Sequence, residues 1–194
     1  MPIVARLQLL WLKLLGQLAL TLGRREDALR YFEAMSAIDA GHPYALASRA
    51  QVEDQLGRPE RAIALQRQLT QLTPGQASAW FNLGFMLEKA GDLEAALAAF
   101  REATRLSPSL DRAWYGLGLV LIRLRRFDEA VEALRKNTEL QPMSPYGWYQ
   151  LARVHVDRQE PDEAAKIIRH LKGFEPKVAA QLERETGLRP ARPA

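Results

Sequence analysis

The chain has 194 residues, 47% hydrophobic and 26% charged, the balance of an ordinary folded, soluble protein of one or two domains. It has no cysteine, which excludes disulfides and thiolate nucleophiles. Its formal charge is only +4, and acids alternate with bases almost throughout, so it lacks the basic arm or stripe of a nucleic-acid binder. The first predicted element, MPIVARLQLLWLKLLGQLALTLGRR, is apolar enough to imitate a signal peptide. Lys13 and Gln17 interrupt it, however, and no small-x-small cleavage pattern follows. Arg6 and Lys13 also deny it the almost uncharged stretch of about 20 residues that a spanning helix needs. It reads as structural.

Beyond that element the chain repeats itself. Trp80, Trp114 and Trp148 are spaced by 34 residues, and so are Pro108, Pro142 and Pro176. With Trp as the fourth residue, the repeats run 9–42, 43–76, 77–110, 111–144 and 145–178. An apolar extension, 1–8, precedes them, and a capping helix, 179–187, and a flexible tail, 188–194, follow. Leu12 and Leu46 take the Trp position, and Leu15-Gly16, Leu83-Gly84 and Leu117-Gly118 the next pair. Ala28, Ala62, Ala96, Ala130 and Ala164 form an unbroken column in the second helix. Phe32 and Phe100 lie four residues further on, replaced by Leu134 and Ile168 in the last two repeats.

At about 3.6 residues per turn, the Trp, the Leu-Gly pair and the next apolar position share one stripe of a first helix. The small residues let a second helix approach closely. Gly23, Gly57 and Gly91 fall at the turn between helices, where a left-handed residue is commonly needed. Pro59 and Pro161 follow that turn, where the first helical N–H needs no partner. Repeat 43–76 departs from the pattern with Arg49, Glu53 and Gln66. Arg49 and Glu53, four apart, can pair along one helix face. This repeat is expected to pack less tightly, with these groups partly wet, and to open first; a polar notch for a partner side chain is the sharper alternative.

Trp80, Leu83, Gly84, Leu87, Ala96, Phe100 and Pro108 together resemble the W-x2-L-G-x2-Y, A-x3-F and P pattern of the tetratricopeptide repeat family. The resemblance covers residues 9–178. It implies an all-α fold, a right-handed α-solenoid of tandem helix-turn-helix repeats, and a non-catalytic protein-interaction module in the cytoplasm. Catalytic chemistry finds no foothold in the residues either. His42, His155 and His170 are scattered without metal-ligand spacing, no Ser/His/Asp set assembles, and the glycines sit singly. His155 falls on a packing stripe. No metal and no cofactor is expected.

In the first helix of each repeat, positions two, five, nine and twelve lie roughly 130° from the packing stripe. By the resemblance these face the concave surface, where extended or helical peptides lie. The candidate partner-binding residues are Tyr44, Phe81, Phe85, Arg112, Tyr115, Leu119, Tyr146, Tyr149 and Arg153 at these positions, together with Asn82 and with Arg123, one residue beyond position twelve. Aromatic and aliphatic groups flanked by arginines suit a buried anchor from a partner. The family's two-carboxylate clamp for acidic C-terminal peptides is matched only at Asn82 and Arg112, while Ala47, Gln51 and Gly116 depart from it. A hydrophobic or aromatic segment with some acidic character fits better.

The two ends differ. Residues 179–187 read as a polar cap, which a solenoid end needs. The first helix instead carries Leu7, Leu10, Trp11, Leu14 and Leu18 on a face that no repeat precedes, an association surface for a second copy or a membrane. The function expected is thus an interaction scaffold or assembly factor gripping a peptide. The alternative is a membrane-associated adaptor anchored through the first helix, its location then peripheral to a membrane. Helical-repeat binding of RNA ranks below both.

Overall fold

The computed structural model describes residues 2–188; the predicted tail from 189 onward lies outside the described residues. Among the described residues there are eleven α-helices and no strand. They are α1 (Ile3–Thr21), α2 (Arg25–Ile38), α3 (Pro43–Gln55), α4 (Pro59–Leu72), α5 (Ala77–Ala90), α6 (Leu93–Leu106), α7 (Asp111–Arg123), α8 (Phe127–Leu140), α9 (Pro145–Asp157), α10 (Pro161–Lys172) and α11 (Pro176–Thr186). The fold is an all-α solenoid of helical repeats. First helices begin at 43, 77, 111 and 145, and second helices at 25, 59, 93, 127 and 161, so the 34-residue period of the sequence is kept in the backbone. The predicted extension 1–8 is not a separate piece. Residues 3–8 continue without a break into the first helix of repeat 9–42.

The turn between the two helices of each repeat uses one left-handed residue. Gly23, Gly57 and Gly91 have φ of 73°, 74° and 86° there. The same column continues as Arg125 and Gln159, with φ of 60° and 61°. For these two the Cβ makes the conformation cost about 1–2 kcal/mol, and the repeat geometry holds it in place. The tryptophans do more than fill space. The indole N–H of Trp80, Trp114 and Trp148 donates to the carbonyl of Pro74, Pro108 and Pro142, each at 2.9 Å, tying the loop that enters a repeat to its first helix.

The chain forms two compact units, Met1–Ala99 and Phe100–Ala194, with the boundary inside α6. In the first, Phe32 and Met35 of α2 are the centre of a cluster with Leu9 and Ala19 of α1 and Ala45 and Val52 of α3. Gly16 is the reason α1 and α2 can close over Phe32. A Cβ at Gly16 would lie 2.4 Å from the Phe32 ring. Repeat 43–76 is drier than its sequence suggests. Glu53 and Gln66 are 3% and 1% exposed. Glu53 does not pair with Arg49; it meets Arg58 at 3.3 Å and Arg61 at 3.9 Å. Arg49 reaches back to Ser36 at 3.2 Å, and Gln66 Nε2 donates to the Ala79 carbonyl at 2.8 Å. Glu53 and Gln66 therefore form no polar notch: buried charge and amide persist because each finds partners.

In the second unit glycines again mark close approach. A Cβ on Gly116 would fall 2.6 Å from Phe100, and one on Gly118 2.7 Å from Leu134. Leu134 is fully buried and cannot swing away. Gly118→Ala is expected to cost about 1–3 kcal/mol, the usual penalty of overpacking, read as a lower denaturant midpoint with an unchanged slope. The cap α11 buries Ala179 and Leu182 and is pinned by Lys172 to Glu183 at 2.6 Å. The histidines are structural here. His155 is buried with Nδ1 2.7 Å from Glu160, His170 stacks on Trp148 and Phe174, and His42 accepts the Ala45 N–H at the start of α3.

Candidate peptide groove

The second unit holds one candidate site. α7 and α9 start one repeat apart and present positions two and five side by side: Arg112 and Tyr115 from α7, Tyr146 and Tyr149 from α9. A cavity of about 540 Å³ opens between Asp111, Arg112, Tyr115, Asn137, Gln141, Ser144 and Tyr146. A second, of about 450 Å³, lies on the far side of Tyr146, between Pro145, Tyr149, Glu175, Val178 and Gln181. Tyr146 is the wall the two share, and at 70% exposure it projects into solvent. Pro145 at the first turn of α9 and the buried Gly147 beside it fix where that side chain leaves the helix.

The floor of the first cavity depends on Asn137. It is 6% exposed and donates through Nδ2 to the Asp111 carbonyl at 3.0 Å, holding the start of α7 against α8. Gly147 makes room for it, since a Cβ there would come 2.2 Å from Asn137 Oδ1. Tyr115 is half-buried and hydrogen-bonded to Gln150, and burial pushes its phenol above the ordinary tyrosine value.

Tyr149, in the wall of the second cavity, is tied to a carboxylate of the cap. Tyr149 donates its O–H to Glu185 of α11 at 2.6 Å, and the Arg153 guanidinium lies 3.3 Å from the same phenol oxygen and 3.7 Å from Glu185. The Tyr149 hydrogen bond, then that of Gln181, then the charge of Arg153 hold Glu185 below the usual carboxylate range. Arg153 is shifted up, first by its bond with Tyr149. It lines a further recess of about 280 Å³ with Val156, Asp157, Glu185 and Thr186.

In the first unit the predicted residues are less concentrated. Tyr44 packs edge-on against Phe32 at 6.0 Å and carries Lys13 over its ring at 4.5 Å, so much of it belongs to the core. Its outer edge joins Arg6, Leu10, Lys13 and His42 around a recess of about 350 Å³. On α5, Phe81 is half-buried, Asn82 exposed, and Phe85 51% exposed. Lys89 of α5 is engaged by Asp54 of α3 at 2.7 Å.

Four overlapping stretches, 13–77, 49–111, 87–141 and 115–176, match the tetratricopeptide repeat family model. The chain belongs to the tetratricopeptide repeat family. No curated protein matches it. Solved structures with the same fold include MamA, at 22% identity and a TM-score of 0.82, covering 95% of this chain and 98% of that one. MamA 41-end from Desulfovibrio magneticus RS-1 follows at 23% identity and 0.78, covering 93% and 98%. YrrB, described as a TPR protein with an unusual peptide-binding site, aligns at 17% identity and 0.76, covering 87% and 88%. At these identities the likeness is one of fold.

Tetratricopeptide repeat proteins are generally non-catalytic modules that bind other proteins. Of the candidate partner-binding residues, Arg112, Tyr115, Tyr146 and Tyr149 line the two cavities. Leu119 and Arg123, further along α7, line neither. The first-helix pattern misses Asn137, Gln141, Glu175, Val178 and Gln181, which come from a second helix, a loop and the cap. Asn137 left a signal: its column reads Met35, Leu69, Ala103, Asn137, Leu171, one amide among apolar residues.

Proposed function

We propose that the protein is a non-catalytic scaffold or assembly factor that grips a peptide segment in the two cavities flanking Tyr146. The observation carrying this reading is that a single exposed tyrosine divides two adjoining recesses, one lined by aromatic, amide and charged groups and the other by aromatic, apolar, amide and acidic ones. Such a wall lets successive partner side chains drop to either side while Gln141 and Gln181 meet the peptide backbone. Tyr and Arg are the residue types that concentrate binding energy at such sites. The reading includes a cytoplasmic location and no cofactor.

Peptides selected from a random display library on the wild-type chain test it. Tyr146→Ala is expected to weaken them at least tenfold, in line with the roughly 2 kcal/mol of an aromatic anchor. Circular dichroism and the melting temperature should not change, because Tyr146 is exposed. Affinity should fall only slightly between low and moderate salt, whereas an RNA ligand touching several phosphates would lose orders of magnitude. Failure to select any peptide, or indifference of the selected ones to Tyr146, overturns the proposal.

A second reading, an adaptor held at a membrane through α1, has one observation in its favour: despite Arg6 and Lys13, which count against a span by sequence, α1 is 19 residues long and by length and composition alone apolar enough to cross a bilayer. Co-sedimentation of the full chain with anionic vesicles tests it.

A further inference from the structure

The outward face of α1 differs from the corresponding face of every other first helix. Position three of the repeat reads Trp11, Ala45, Ala79, Ala113, Gly147, and position ten reads Leu18, Val52, Met86, Val120, Val154. From α3 onward these columns are buried, Ala45, Val52, Ala113, Val120 and Val154 completely. They are where the second helix of the preceding repeat settles: Ala45 and Val52 cluster with Phe32 and Met35 of α2, and Gly147 faces Asn137 and Thr138 of α8. In α1 the same two positions are 62% and 55% exposed, and Val4, Leu7 and Leu14 beside them are 61%, 62% and 49% exposed.

Trp11 decides what kind of occupant this face takes. Where a repeat helix lies close, the chain places Ala or Gly. An indole in that column holds any neighbour further out, so the face is not shaped for another repeat in the usual register. Val4, Leu7, Trp11, Leu14 and Leu18 instead follow a 3,4,3,4 spacing, the seam one helix offers to a single partner helix. The charge around it is balanced rather than cationic: α1 carries Arg6 and Lys13, with Lys13 turned over Tyr44, and Arg24 and Arg25 after its C-terminal end stand beside Glu26 and Asp27 of α2.

We infer that this face is covered by a second copy of the chain, α1 against α1, antiparallel about a two-fold axis near the helix midpoint. With Ile3, Leu10 and Leu22 the seam exposes roughly 900 Å² of apolar surface per copy, so covering most of it would approach the ~800 Å² buried per partner in a standard stable interface. Turning one helix end for end about that midpoint sets Leu7 of one copy against Leu18 of the other, and Trp11 against Leu14. Each layer then pairs an a-type with a d-type position. A two-fold contact of this kind closes on itself and forms no filament.

Sedimentation of the full chain up to high micromolar concentration tests the pairing. The wild type should run at twice the 21.9 kDa chain mass. Leu14→Glu and Trp11→Lys should each run as monomers with unchanged helix content, since both side chains are exposed. Mixing the two variants should restore the dimer, because the new Glu and Lys then face each other in one layer and the other layer keeps Trp11 against Leu14. A wild-type monomer, including one that binds anionic vesicles, overturns the inference, as does a dimer indifferent to both substitutions. Two monomeric variants that fail to recombine overturn the antiparallel pairing. Peptide binding at Tyr146 lies in the other unit and is read independently.

Discussion

Phe32→Ala is expected to lower the stability of the first unit by about 3–5 kcal/mol, the range for removing a large aromatic from a packed core. Phe32 of α2 is fully buried between two other helices, α1 and α3. It fills the space that Gly16 leaves in α1, presents its edge to Tyr44 of α3, and sits among Leu9, Ala19, Leu29 and Val52. Gly16 opposite has no side chain with which to fill the void. Hydrogen exchange should read this as a loss of protection in α1 to α3. In a repeat array each repeat depends mainly on its nearest neighbours, so α8 to α10 should be protected much as before. A double-mutant cycle sharpens the test. Gly16→Ala alone overpacks against the ring, whereas in the Phe32→Ala background the new methyl group enters the cavity. The two changes should therefore be strongly non-additive, and additive costs would show that Gly16 and Phe32 are not partners.

The fold was legible because its determinants recur. Trp at the fourth position, Gly at the eighth and Ala in the second helix repeat at a fixed interval, so each column states its own structural demand several times. What was not legible depends on contacts that occur once. Glu53 and Gln66 break their columns in sequence, and repeat 43–76 was expected to be loose on that account. Their partners, Arg58 across the turn and the Ala79 carbonyl in the next repeat, belong to no column. The groove shows the same division. Arg112, Tyr115 and Tyr146 follow from helical position, but the engagement of Tyr149 by Glu185, 36 residues later, follows from how the cap happens to end. Arg125 and Gln159 were missed as left-handed residues because the column had been recognised by glycine rather than by register.

Gln66→Phe, which restores the residue that Phe32 and Phe100 hold in their repeats, is expected to destabilise the chain by about 2–4 kcal/mol. Two costs combine. Gln66 Nε2 donates to the Ala79 carbonyl at 2.8 Å, linking α4 to the first turn of α5, and the phenyl ring cannot. The larger cost is steric. Phe32 fits because position eight of its repeat is Gly16, whose absent Cβ would lie 2.4 Å from the ring. In repeat 43–76 that position is Ala50, fully buried, so its methyl group stands where the ring would go. The two columns vary together within the repeats: Gly16 with Phe32, Gly118 with Leu134, Ala50 with Gln66, Ala152 with Ile168. Ala50→Gly is accordingly expected to recover most of the loss in the Gln66→Phe background, while costing about 1 kcal/mol of helix propensity on its own. Denaturant midpoints of the four chains decide it. If Gln66→Phe is neutral or stabilising with Ala50 in place, repeat 43–76 has slack at its centre and the packing role of Gln66 is wrong. If Ala50→Gly gives no recovery, the hydrogen bond to Ala79 carries the whole effect.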